Sequence, residues 1–249
     1  MLKIRVIPCL TIKEERLVKS VQFAEHRNIG SYISAVRVFN TRDVDELTFL
    51  DLDAGKRKIK KWINEEVTKE CFMPVTLGGG VKTIDDVTLL LAAGADKVAM
   101  NSSALEHPDL IAETAGRFGS QCAVVSIDVR RDGKSWRVFS HGGTKDAGID
   151  VVSWAQKAES LGAGEILLTS IDNDGMMEGY DLGLIKKVAH SVRIPVIASG
   201  GAGTPDDCVR AVQAGASAVA CASMFQYTHY TPSNVKEAIA KAGFPVRTP

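Results

Sequence analysis

The sequence lacks any paired cysteine motif. Its five cysteines, Cys9, Cys71, Cys122, Cys208 and Cys221, form no CxxC, and most sit in apolar runs. That pattern excludes a disulfide scaffold and fits buried free thiols in a reducing cytoplasm. The five histidines are scattered with no HxxxH or Cys/His cluster, so no metal site is expected. Charge of one sign is also missing. Thirty basic and thirty acidic residues cancel, which argues against a nucleic-acid binder or a polybasic membrane anchor. A local anion site is still open. No apolar run reaches 18 residues, and the apolar part of MLKIRVIPCL is too short for a signal peptide. Long linkers and low-complexity segments are absent. With 249 residues, 45% of them apolar, the chain suits one large α/β domain with a sizeable core.

A repeat organises what is there. Residues 75–105, VTLGGGVKTIDDVTLLLAAGADKVAMNSSAL, align without gaps to residues 196–225, VIASGGAGTPDDCVRAVQAGASAVACASMF. Gly79 meets Gly200, a shift of 200 − 79 = 121 residues. At that shift Thr83 meets Thr204, Asp85 and Asp86 meet Asp206 and Asp207, Gly94 meets Gly215, and Ser102 meets Ser223. The chain reads as two related halves, about 1–121 and 122–249. Near-continuous apolar runs predict strands near 3–10, 45–51, 73–78, 96–101, 122–128, 165–170, 195–199 and 217–221. Helical patterns lie between them. Two of these start at Thr83 and Thr204, at the N-cap with acids in the first turn, and stop at Gly94 and Gly215. Eight such units in this length predict a single (βα)8 TIM barrel. The alternative is an open doubly wound sheet, which has no reason to repeat at half length.

In a barrel the chemistry sits where strands enter the βα loops. Each half supplies a glycine turn there, LGGGV and SGGAG, and its next strand ends in a small polar pair, Asn101-Ser102 or Ala222-Ser223. Glycine lets backbone approach a phosphate closely, though a tight turn alone would also account for it. Two copies at a fixed offset predict two phosphates on opposite sides of the mouth, hence a long bisphosphate ligand. The acids expected at the mouth are Asp51, Asp53, Asp128, Asp172 and Asp174; any of them could instead cap a helix or pair with a lysine. Asp128 is the candidate for acid/base work, because the apolar run VVSID closes on its carboxylate and burial there would raise its pKa. Aligning IPCLT with VVSID puts Thr11 opposite Asp128, and a threonine hydroxyl does not titrate near neutrality. Lys19, in the loop EERLVKSV after the first strand, is either solvated or an anion contact. At the other end Arg5, Glu46, Lys97 and Glu165 stand at strand starts. They could ring the barrel floor, as a structural salt-bridge plug or as a polar gate.

The segments IPCL, DELTFLDLDA, VTLGGGVKTIDD, GADKVAMNSSAL, FGSQCAVVSIDVRR, HGGTKDAGID, GAGEILLTSIDNDG and IPVIASGGAG resemble the HisF-type cyclase subunit of imidazole glycerol phosphate synthase, from the first strand to about residue 248. The resemblance implies a (βα)8 barrel paired with a glutaminase subunit of the HisH type. Ammonia would enter through the floor and meet a bisphosphorylated nucleotide at the mouth. No cofactor is implied. The family's phosphate contacts fall on Gly80, Asn101 and Ser102 in one half, and on Asp174, Gly175, Gly201, Ala222 and Ser223 in the other. Its ammonia gate falls on Arg5, Glu46, Lys97 and Glu165, an acid facing the glutaminase falls on Asp96, and the mobile-loop lysine falls on Lys19. One catalytic aspartate falls on Asp128; the other falls on Thr11.

That is a departure from the family's pattern, as are Ser20 in place of a glycine, the short loop DAGKRK, and Met176 where a threonine is usual. With FNTRDVDEL and CFMPVTLGGG, the pattern looks like a divergent branch associated with acetamidino modification of bacterial surface sugars, in which ammonia passes to a separate amidotransferase. Three readings stay open: an ammonia-conducting barrel serving amidination, a working histidine-pathway cyclase, and a barrel that only binds a phosphorylated ligand.

Overall fold

The computed structural model describes residues 3–56 and 58–247. Arg57 of the short loop DAGKRK lies outside the described residues, as does residue 248 at the end of the resemblance. Strand β1 (Arg5–Lys13) carries a hairpin of β2 (Arg16–Val21) and β3 (Ala24–Gly30) before helix α1 (Tyr32–Asn40). There follow β4 (Leu47–Asp51), α2 (Lys61–Glu70), β5 (Val75–Gly78), α3 (Ile84–Ala92), β6 (Lys97–Met100), the short α4 (Ser102–Glu106) and α5 (Asp109–Phe118). The second half repeats the plan. Strand β7 (Ala123–Asp132) carries the hairpin β8 (Ser135–Ser140) and β9 (Lys145–Asp150) before α6 (Val151–Ser160). Then come β10 (Glu165–Ser170), α7 (Leu182–Ala189), β11 (Val196–Ser199), α8 (Pro205–Gln213), β12 (Ala218–Cys221), the short α9 (Ser223–Tyr227) and α10 (Pro232–Lys241).

Eight strands pair in parallel in the order β10-β11-β12-β1-β4-β5-β6-β7, and β7 pairs back onto β10 from Val124↔Glu165 to Val129↔Ser170. The sheet is therefore a closed (βα)8 barrel, and an open doubly wound sheet is ruled out. The bounds of β5, α3, β6 and α4 recur in β11, α8, β12 and α9 at the 121-residue shift found in the sequence. Both Thr83 and Thr204 accept from the backbone three residues on, while Asp86 and Asp207 reach back to the cap. Glycine is required where neighbouring βα loops touch. A Cβ on Gly79 would stand 2.1 Å from the Asp51 carbonyl oxygen, and one on Gly200 2.5 Å from that of Ser170.

Side-chain alternation sorts each strand into two faces. Val6, Val98, Val125, Ile166, Leu168 and Val219 face the helices and join the large core cluster. Ile7, Ala99, Val124, Leu167, Ile197, Ala218 and Ala220 form a second, smaller cluster inside the barrel, with Cys9 and Leu50 against it. Along β1, then, the interior column reads Arg5, Ile7, Cys9, Thr11, from floor to mouth.

The structure departs from the sequence expectation at the two hairpins. The first strand runs on to Lys13, and Lys19 lies on β2 rather than in a loop. Asp128 does not end its strand, which continues to Asp132. The reason for the first is turn chemistry. Glu14 and Glu15 at one turn, and Gln22 and Phe23 at the other, all take positive φ. Two-residue hairpin turns need that conformation, but Asn-Gly or Asp-Gly usually supplies it.

Candidate active site

The mouth encloses a cavity of about 850 Å³. The eleven catalytic and phosphate-site candidates line it: Thr11, Lys19 and Asp128; Gly80, Asn101 and Ser102 on one side; and Asp174, Gly175, Gly201, Ala222 and Ser223 on the other. Asp51 and Asp53 line it too, but Asp172 is not among the lining residues. Asp172 instead accepts from the Arg131 backbone N–H at 2.8 Å, holding the base of the second hairpin. Asp53 is likewise engaged, accepting from the Glu14 N–H at 2.9 Å at the first hairpin's turn.

β1 and β7 stand on opposite sides of the barrel, with three strands between them either way. Asp128 reaches in from β7, only 9% exposed. The Asn101 amide donates to its Oδ2 at 3.1 Å, and the Ser126 hydroxyl to its Oδ1 at 3.5 Å. Burial pushes its pKa up to about 7, the charge of Asp174 adds to the rise, and hydrogen bonds from Thr169 and Ser126 hold it back. A carboxyl group of that pKa can both take and give a proton near neutrality. Thr11, on β1, is committed to its own hairpin, where its hydroxyl donates to the Val18 carbonyl at 2.8 Å. Cys9, one layer down, is no nucleophile, since burial pushes its thiol up to about 12.

The first hairpin folds over this cavity. Lys19 pairs with Asp174 at 3.3 Å, both buried. The Gln22 N–H donates to the Asp174 carbonyl at 2.8 Å, and Gly175 approaches so closely that a Cβ there would lie 2.3 Å from the Ser20 carbonyl oxygen. The two hairpins meet at their tips, where a Cβ on Gly143 would stand 3.1 Å from the Phe23 ring.

Two mouth segments share an unusual backbone. Asn101 has φ −121° and ψ −84°, and Ala222 has φ −130° and ψ −72°, just before α4 and α9. Ser102 Oγ accepts from the His141 backbone N–H at 2.9 Å. Its counterpart Ser223 Oγ is buried and has no hydrogen-bond partner among the described residues. Among the described residues no group of three or more His, Cys, Asp or Glu side chains could hold a metal ion.

At the floor the four charged residues close into a ring. Arg5 contacts Glu46 at 2.7 Å and Glu165 at 2.9 Å, and Lys97 contacts the same two acids at 2.8 and 3.0 Å. The Thr76 hydroxyl donates to Glu46 at 2.6 Å. Asp96 is exposed on the floor and accepts from the Val75 N–H at 2.8 Å.

Sequence reasoning missed Ser126, Thr169 and His26. Alternation points to the first two, since Ser126 and Asp128 share a face, as do Leu167 and Thr169. His26 enters the cavity lining from β3 with its Nδ1 buried and unpartnered among the described residues; no period along the sequence places it.

Comparisons with known proteins place the chain's sequence in one family. The model of a family described as histidine biosynthesis protein matches residues 5–231. The chain is 49% identical over 250 residues to the imidazole glycerol phosphate synthase subunit HisF of Dehalococcoides mccartyi (strain BAV1), covering 99% of both chains. It is 47% identical over 252 residues to the subunit of that name from Hyphomonas neptunium, covering all of both. The Caulobacter vibrioides (strain NA1000 / CB15N) subunit is 48% identical over 252 residues, 99% of this chain and 97% of its own.

Proposed function

Because the chain belongs to the histidine biosynthesis protein family and is a HisF-type barrel, we propose that it receives ammonia from a glutaminase partner at its floor and delivers it to the mouth. The observation that carries this reading is the column beneath the cavity. A closed ring of two cations and two anions lies at the floor. Above it the barrel is lined by Ile7, Val124, Leu167, Ile197 and small alanines. An apolar lining admits neutral ammonia and excludes ammonium, whose charge would be stripped of water. Lys97 has a flexible stem, and its swing away from Glu46 and Glu165 opens the ring. Phosphorylated ligand would be held at the two duplicated sites, Gly80/Asn101/Ser102 and Gly201/Ala222/Ser223 with Asp174-Gly175. The unpartnered Ser223 Oγ supports the second of these.

Of the two facing positions Thr11 and Asp128, only Asp128 carries a group that can move a proton. Thr11 neither titrates nor is free, so imidazole formation lacks one of its two proton movers. The nitrogen therefore serves amidination, by a separate amidotransferase that builds an acetamidino group on a bacterial surface sugar. A second reading is a working cyclase making imidazole glycerol phosphate, favoured by identities of 47–49% over whole lengths to HisF subunits. A steady-state assay with the bisphosphate nucleotide and saturating ammonium separates them. Wild type should turn over about 10²–10⁴-fold below an enzyme with both groups, and Thr11→Asp should recover part of the rate. Turnover in the ordinary range of about 1–10³ per second, abolished by Asp128→Asn, would overturn the amidination reading and restore the cyclase.

A further inference from the structure

Phe72 is 88% exposed, while the next most exposed large apolar side chains, Trp62 and Tyr227, reach 51%. It lies in the loop between α2 and β5, at the floor end. That loop leads into the strand paired on one side with β4 and on the other with β6. These two strands begin next to Glu46 and with Lys97, half of the floor ring. The backbone here is held on both sides. The Phe72 N–H donates to Asn40 Oδ1 at 3.2 Å, and the Asn40 amide donates in turn to the Glu70 carbonyl at 2.5 Å. The Val75 N–H is held by Asp96 at 2.8 Å. Met73 packs against the core, and Phe72 faces water from a fixed loop.

A fixed aromatic in water is what dominant interface residues look like before the partner arrives. Such residues are aromatic, few, and surrounded by contacts that exclude water. Exclusion of water has a chemical purpose at this end. Ammonia released into neutral water takes up a proton, and the ammonium ion cannot enter the apolar interior. A supplier of ammonia must therefore seat tightly around the ring.

We propose that Phe72 is the anchor on which the ammonia-producing glutaminase seats, entering an apolar socket on that partner beside a cation that faces Asp96. This rests on the ammonia-receiving reading above, and names the side chain that fixes which glutaminase can serve the barrel. Association is driven by the buried ring, with the Asp96 charge setting orientation.

The test is titration calorimetry of the full chain with the glutaminase subunit of the same organism, for wild type, Phe72→Ser, Phe72→Tyr and Trp62→Ser. Thermal melts of each variant check that folding is intact. The expected result is binding weakened by about 30-fold or more in Phe72→Ser, the range of a dominant interface residue. Phe72→Tyr keeps most of the affinity, and Trp62→Ser, an exposed aromatic on the barrel's side, keeps all of it. Wild-type affinity in Phe72→Ser would overturn the anchor while leaving the ammonia reading standing. Failure of wild type itself to bind would instead overturn the ammonia reading. Sedimentation of the barrel alone completes the test: a wild-type dimer that Phe72→Ser converts to monomer would make a second copy the occupant and overturn the proposal.

Discussion

Asp128 and Thr11 occupy the same structural place in the two halves. Each is where a barrel strand hands over to its hairpin, Thr11 pairing with Val18 and Asp128 with Phe139. One carries a titrating group and the other does not, and the consequences reach beyond catalysis. The pKa of Asp128 rises from 3.8 to about 7 on folding. Below the lower value the group is protonated in both states and costs nothing. As pH rises toward the upper value the unfolded chain ionises freely and the folded one resists, so stability is lost across that window. Asp128→Asn should therefore match wild type near pH 3.5 and exceed it above pH 7.5. Three pKa units correspond to about 4 kcal/mol, an upper bound on the gain. Thermal denaturation across that pH range measures it; a variant equally stable at both ends would mean that the carboxyl ionises in the fold without penalty. Alternation makes the Val124, Ser126, Asp128 column legible in the sequence. The amide that orients Asp128 is not legible, because Asn101 comes from a neighbouring strand 27 residues earlier.

At the scale of elements, the repeat makes a controlled pair. Helices α3 and α8 begin with the same capping box, Thr83 with Asp86 and Thr204 with Asp207. Loss of a threonine cap costs about 1 kcal/mol, so Thr83→Ala and Thr204→Ala should each lower stability by about that much. Urea denaturation of the two single variants and the double checks this, and the sites are independent enough that the costs should add. These helices were readable because threonine, acids and the terminal Gly94 and Gly215 all act locally. The hairpins were not. The Glu14-Glu15 and Gln22-Phe23 turns use side chains that seldom adopt positive φ, and they persist because the long-range contacts of Lys19 and Gln22 with Asp174 hold the hairpin down. Such contacts have no period along the chain.

For the whole molecule, the floor ring is a fastening, whatever passes through it. Arg5, Lys97 and Glu165 come from β1, β6 and β10, and Glu46 immediately precedes β4, so the four are spread around the circumference. Glu46 is only 2% exposed, and a buried carboxylate that loses a partner is costly. Arg5→Met should destabilise the barrel by about 3 kcal/mol. Equilibrium unfolding in urea at pH 7.5 measures the loss; a variant as stable as wild type would mean that the ring fastens nothing. The four strand starts could be picked out of the sequence, but that they meet follows only from closure. Above the ring, the layer of Ile7, Val124, Leu167 and Ile197 is filled by side chains no more than 2% exposed. From Arg5 to Thr11 is six residues, about 20 Å of strand. A column so short and so full has no capacity to store nitrogen. On the ammonia-receiving reading proposed above, what a glutaminase releases must be used as it arrives or escape, so product formed should fall short of glutamine spent only by the free ammonium that leaks out.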